Sequence, residues 1–292
     1  MKRNSRSSMS SLPSSNDRLG RTMSRGPSFR RPSISMILRT DGAQAGRMRL
    51  VEAGRETEVS PDLVPGALAH DGVVLIRQGS IAEVRALLDR WTVPVDHPHQ
   101  VAGGLTVIAP RLRTDEDDNE AGFTDLALSP HTDRSLHVQP PSVLATLMLT
   151  PARAGGSATL VDGARVLTLV RQCAGDTEIA GLRLRTATGR PGPAVVETGA
   201  GHARIRYRDD RIARPYSTDG RTDLVVTLRR LIGETAQTLH LGAGDGYLVH
   251  NHRFLHGRTA FTGDRSLARF LARVNSDHPY AWLNRGFSIA SS

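Results

Sequence analysis

The stretch GDGYLVHNHRFLHGRTAF, residues Gly244–Phe261, decides how this chain is read. A Gly-Asp-Gly turn leads into the apolar run Tyr247–Val249, which has the length and composition of a buried strand. Three histidines follow, His250, His252 and His256, the last of them in the phrase His256-Gly257-Arg258. Working outward, the chain is dominated by similar short apolar runs. Leu105–Ala109, Leu136–Val138, Val143–Leu149, Ala158–Val161, Leu182–Leu184, Ala203–Tyr207 and Arg269–Val274 are candidate strands, most of them separated by Gly, Pro, Asp or Asn.

Helical signals are fewer. Ala69–Arg77 reads as a turn and a buried strand, after which Ser80 caps an amphipathic helix carrying Ile81, Val84, Leu87 and Leu88 at helical spacing. A longer helix places Leu224, Leu228, Leu231, Ile232 and Leu239 on one stripe, with Thr222 or Asp223 as its cap. The acidic stretch Thr114–Gly122 reads as a surface loop. Many short strands with few helices predict a mainly β (α+β) chain, a sandwich or barrel with flanking helices. No internal repeat, GxGxxG or P-loop is present, which argues against a doubly wound nucleotide-binding sheet.

Composition narrows the function classes. No apolar run approaches the roughly 18 residues that cross a bilayer, and the basic amino terminus is not followed by the apolar segment of a secretory signal. The single cysteine, Cys173, excludes an internal disulfide and suits a reducing, cytoplasmic location. Residues 1–50 carry eleven Lys/Arg against two Asp, the whole of the +9 net charge, and the remaining 242 residues hold 27 of each sign. Residues 1–47 therefore read as a disordered Ser/Arg-rich extension ahead of one domain over 48–292. That extension has three readings: a dispensable leader with Met48 as an alternative start, a basic tail for RNA or a membrane surface, or an organelle transit peptide. The neutral remainder carries no electrostatic footprint for nucleic acid. The expected partner is a small molecule, with no membrane association, and the oligomeric state is not legible.

The chemistry lies in two blocks. In SPHTDRS, Ser129–Ser135, His131 and Asp133 are two apart, so on an extended strand both side chains point to one side. Alone, a His-x-Asp pair is weak evidence. A third ligand from the distal histidines changes that, because two histidines and one carboxylate leave three coordination positions open. Such a set suits ferrous iron, which must bind a chelating co-substrate and then dioxygen. His256 is favoured because Gly-Arg follows it, with His250 and His252 left as alternatives. The planar guanidinium of Arg269 can grip the distal end of a dicarboxylate, as lysine cannot. Other clusters have bland readings: His97 and His99 with Asp96 as a solvated loop, and Arg258 and Arg265 as supporting or surface charges. Asp209 and Asp210 read as an ordinary turn or as a substrate-facing loop for an amine or guanidine.

These residues resemble the taurine dioxygenase and clavaminate synthase-like family of Fe(II)/2-oxoglutarate-dependent oxygenases, over roughly residues 60–275. Asn251, Arg253, His256, Gly257 and Arg258 follow the family's distal motif, and Arg269 and Arg273 match its Arg-x-x-x-Arg pair. The resemblance implies a double-stranded β-helix, or jelly roll, and iron held by His131, Asp133 and His256. It places Arg269 on the 2-oxoglutarate C5 carboxylate and Arg273 nearer the substrate. It also implies hydroxylation of a small molecule such as a free or derivatised amino acid, with O2 consumed and succinate and CO2 released. Desaturation or ring closure within the same family is the nearest alternative. The family's co-substrate threonine is matched only by Thr159, one position late after Gly155-Gly156-Ser157-Ala158. From other classes, a non-enzymatic cupin-like binding protein and a zinc hydrolase compete, and no acid near His256 offers a hydrolase its base.

Overall fold

The computed structural model describes residues 61–101, 104–111 and 121–289, together with the backbone of three earlier strands, Ile37–Thr40, Met48–Glu52 and Arg55–Val59. Two sheets form its frame. The larger runs Arg55–Val59, Met48–Glu52, Ile37–Thr40, Val73–Arg77, Gly246–His250, Val143–Thr150 and Ser266–Val274. Thr92–Pro94 and Leu105–Ile108 both pair with Ser266–Val274. The smaller sheet runs Gln237–Leu239, Ala158–Asp162, Phe254–Arg258 and Leu128–His131. Pairing is antiparallel throughout both, apart from Ile37–Thr40 beside Val73–Arg77.

Alternation along the strands builds separate cores on the two faces of the larger sheet. Val143, Ala145 and Leu147 face a helical layer in which Val64–Asp71 supplies Val64 and Leu68, and Ile81–Asp89 supplies Val84, Leu87 and Leu88. The intervening Leu144, with Val249 and Leu271, faces Ala158, Leu160 and Phe254 of the smaller sheet. A third core packs helices Gly163–Arg171 and Thr222–Thr235 over Val161 and Leu255, on the smaller sheet's other side. The chain between the two sheets is therefore enclosed, and a polar group placed there is buried.

Local signals explain much of this. Ser80 closes a capping box, its Oγ accepting from Glu83 N at 3.2 Å while Glu83 Oε2 accepts from Ser80 N at 2.9 Å. Helix Thr222–Thr235 follows Arg221, which makes no side-chain cap, and Asp223 pairs with Arg221. The expected Thr222 or Asp223 cap is thus corrected, and Leu239 lies in the strand Gln237–Leu239 and not on the helix. Leu136–Val138 is a turn and not a strand, tied down by the Arg206 guanidinium, which donates to the carbonyls of Ser135, His137 and Val138. The strand Ile37–Thr40 falls inside the stretch read as a leader, whose remaining residues lie outside those described, as does most of Thr114–Gly122.

Leu144 is fully buried between the sheets. Leu144→Ala should cost about 2–5 kcal/mol of stability through lost burial and a residual cavity. Denaturant unfolding measures this, and a loss below ~1 kcal/mol would mean that the two sheets do not share that core.

Candidate metal centre and cavity

The two motif blocks meet on the smaller sheet. Phe254–Arg258 pairs with Leu128–His131 so that His256 stands directly opposite His131, their ring centroids 4.4 Å apart. Gly257 allows this approach, since a Cβ there would collide with the Leu128 carbonyl oxygen. Asp133 turns back from the strand end to bring Oδ1 to 3.6 Å from His131 Nε2 and 3.9 Å from His256 Nε2. Among the described residues this is the one trio of His, Cys or acidic side chains close enough to share an ion, and all three are buried.

Surrounding contacts fix the trio. His131 Nδ1 lies 2.9 Å from the Ser129 carbonyl, which it donates to, so that Nε2 is left for a metal. Asn251 clamps the backbone of Asp133, with Oδ1 accepting from Asp133 N at 2.8 Å and Nδ2 donating to Asp133 O at 3.0 Å. Burial opposes ionisation of Asp133, but the Arg269 guanidinium 3.1 Å from Oδ2, together with the two histidines, holds the carboxyl well below the usual range. Burial, with His131 beside it, pushes His256 down to about 3, so its imidazole is neutral and available. Ionised carboxylate and neutral imidazoles are the forms that bind a metal.

His250 and His252 are settled by the same geometry. Both are buried away from the trio, His250 bonding the Leu283 carbonyl at 2.9 Å. They anchor the C-terminal segment and do not reach the centre. Above the centre opens a cavity of about 420 Å³ between the sheets, lined on one side by His131, Asp133 and His256 and on the other by Thr146, Tyr247 and Arg269.

Three arginines, Arg265, Arg269 and Arg273, recur at four-residue spacing and form two overlapping Arg-x-x-x-Arg pairs. Arg269 is engaged at the centre, on Asp133 and, at 3.1 Å, on His97 Nε2. Arg273 does not line the cavity and pairs with Gln139 at 2.7 Å. Arg265 lines the cavity, is 5% exposed, and its buried Nε has no hydrogen-bond partner. The Gly155-Gly156 turn closes over its stem, where a Cβ on Gly156 would sit 3.0 Å from Arg265 Cδ. Arg265, read from sequence as a surface or supporting charge, instead lies within the cavity wall, its guanidinium 5.4 Å from the centre of the Phe261 ring.

Other expectations are corrected. Thr159 pairs in regular register with Gly257 and so faces away from the side occupied by Ala158 and His256, with no bulge to turn it inward. Asp209 is held by Arg229 at 2.7 and 3.1 Å, and Asp210 by Arg208 at 2.6 Å and Ile212 N at 2.8 Å. Both acids are structural, and neither lines the cavity. His97 and His99, read as a solvated loop, do line it, and burial with Arg269 nearby lowers His97 to about 4. Arg208 was missed altogether, although it lies between the expected acids and Tyr207.

Solved structures share this arrangement of sheets. An asparagine oxygenase in complex with Fe(II), 2S,3S-3-hydroxyasparagine and succinate aligns over 71% of this chain and 77% of its own, with a TM-score of 0.55 and 18% identity. PvcB, an Fe, α-ketoglutarate-dependent oxygenase from an isonitrile synthetic pathway, aligns over 74% and 80% at a TM-score of 0.54 and 16% identity. The fold is that of the iron- and α-ketoglutarate-dependent oxygenases. OrfP, a non-haem iron oxygenase solved with Fe, succinate and (3S)-hydroxy-L-Arg, has the same oxygenase fold, covering 72% and 80% at a TM-score of 0.56 and 16% identity. Among curated proteins, a uridine-5'-phosphate dioxygenase from Streptomyces sp is 30% identical over 53% of this chain, and the match spans 64% of that relative's length. No family model matches. No helix among the described residues is long and apolar enough to cross a membrane.

If the trio is the metal site, His256→Ala should abolish stoichiometric Fe(II) binding, and His250→Ala should retain it while lowering thermal stability. Metal analysis of the purified variants tests this. Full iron content in His256→Ala would remove it from the ligand set.

Proposed function

We propose that this chain is a mononuclear iron(II) oxygenase that consumes 2-oxoglutarate and O2 and hydroxylates a small molecule, releasing succinate and CO2. The observation that carries the reading is the convergence of His131, Asp133 and His256 in the wall of one cavity between the sheets. On this reading the two facing sheets form a double-stranded β-helix. We take the domain to include the strand Ile37–Thr40, ahead of Met48, because that strand pairs with Val73–Arg77, and the protein to act in the cytoplasm.

Iron bound by the trio would supply the open positions at which 2-oxoglutarate chelates and dioxygen is activated. The protein's own residues do the rest. Arg269 and Asn251 hold Asp133 ionised and correctly turned, so that it remains a ligand. Arg265 receives the distal carboxylate of 2-oxoglutarate in a bidentate grip. Arg269 is then a positioning residue at the metal, one unit of the arginine repeat away from the role that resemblance assigned to it. Apolar Leu128, Ala158 and Met148 line the same chamber and keep bulk water from the reacting centre. Relatives in fold and sequence act on amino acids and on a nucleotide, and both classes are substrates to screen.

A charge-assisted arginine–carboxylate contact is worth about 1.5–3 kcal/mol, which is roughly ten- to a hundredfold in affinity. Arg265→Ala should therefore raise the 2-oxoglutarate KM by that order and leave iron content unchanged. Arg265→Lys should fall between, because it keeps the charge and loses the fork. Arg273→Ala should leave the co-substrate KM unaltered. Succinate formation against 2-oxoglutarate concentration is the measurement. A co-substrate defect in Arg269→Ala with its iron content intact, and none in Arg265→Ala, would restore the register expected from resemblance.

A further inference from the structure

We infer that Arg208, assisted by Arg134, binds a phosphate group of the organic substrate at the wall of the cavity. This rests on the oxygenase reading above and narrows its substrate class.

The cavity lining carries five arginines, Arg134, Arg208, Arg258, Arg265 and Arg269, against one carboxylate, Asp133. Buried charge of one sign is costly unless it meets a partner. Three of the five are accounted for elsewhere. Arg269 faces Asp133. Arg258 donates to the carbonyls of Leu126 and Thr124, and holds that loop over the cavity. Arg265 is assigned to the co-substrate. That leaves Arg134 and the two terminal amines of Arg208, whose Nε is paired with Asp210.

Their placement beside the metal ligands follows from the backbone. Thr132 N donates to the Tyr207 carbonyl at 2.9 Å, and Tyr207 N donates to Thr132 Oγ1 at 3.1 Å. This two-bond seam joins the loop that carries Asp133 to the chain just beyond the strand His202–Ile205. Asp133 and Arg134 leave the seam on one side and Arg208 on the other, so both guanidiniums reach the cavity near the reacting centre.

Among the described residues, each of the two has donors to spare. Arg208 is oriented by Asp210, which accepts from Nε at 2.6 Å, and among the described residues its two terminal amines have no hydrogen-bond partner. Arg134 makes one long contact, 3.4 Å to the Asp96 carbonyl, from a backbone φ of 57° that non-glycine residues seldom adopt. Two arginines offer planar pairs of donors, the geometry that recognises phosphate oxygens. The zwitterionic head of a free amino acid fits less well, because the lining has no second carboxylate to receive its ammonium. Leu136 and Ile212, which also line the cavity, offer apolar contact to the rest of the molecule.

The test is anaerobic calorimetry on the Fe(II)-loaded protein. 2-Oxoglutarate is titrated first, and then, with it bound, uridine 5'-phosphate, uridine, inorganic phosphate and L-asparagine in separate runs. Uridine 5'-phosphate should bind about tenfold or more tightly than uridine, and inorganic phosphate should bind where L-asparagine does not. Arg208→Ala should weaken the phosphate ligands about ten- to a hundredfold, with 2-oxoglutarate binding and the melting temperature preserved, and Arg208→Lys should recover part of the loss. Equal affinity for uridine and its phosphate, no binding of either phosphate ligand, preferential binding of L-asparagine, or an unaltered Arg208→Ala would each overturn the inference while the oxygenase reading stands. Absence of 2-oxoglutarate binding at the first step would sink that reading, and this inference with it.

Discussion

Asp133 is a carboxylate only 5% exposed, set between two sheets, and the rest of the site depends on how that burial is tolerated. A lone buried carboxylate would take up a proton and cease to be a useful ligand. Here Arg269 crosses from the larger sheet to face it, His131 and His256 flank it, and Asn251 holds its backbone on both sides. The contact between Asp133 and Arg269 is therefore also a contact between the sheets. It joins the strand that ends at His131 to the strand Ser266–Val274, and so sets the spacing of the cavity that both line.

Strand alternation distributes the remaining roles. On Ser266–Val274, Ala268, Phe270 and Ala272 pack under the helices, and Arg269 and Leu271 project between the sheets. On Phe254–Arg258, His256 faces the cavity and Leu255 packs into the outer core. A one-residue slip in either strand would exchange ligand for core. Glycine at position 257 secures one of these registers, because no side chain fits against the Leu128 carbonyl.

The convergence of His131, Asp133 and His256 was legible because they come from contiguous phrases whose side-chain types have few other uses together. Short strands were legible for a similar reason, with Val143–Leu149 and Tyr247–Val249 both found within a residue or so of their ends. What was not legible is instructive. Arg265, Arg269 and Arg273 repeat every four residues, so spacing alone offers two equivalent registers, and only the partners of each guanidinium separate them. Asp209 and Asp210 looked available in sequence because their counter-ions, Arg229 and Arg208, gain their roles only through the fold. Leu136–Val138 has strand composition, but its carbonyls are claimed by Arg206 from 68 or more residues away. His97 carried no signal beyond its neighbour His99, since its partner Arg269 lies 172 positions further along.

The account's central claim is that His131, Asp133 and His256 form one iron site able to accept a chelating 2-oxo acid. Anaerobic addition of Fe(II) and 2-oxoglutarate, followed by visible absorption, tests it most directly. The account predicts a weak charge-transfer band that appears only with both additions and is lost in Asp133→Ala. No band in the unaltered protein, or a band undiminished in Asp133→Ala, would contradict it.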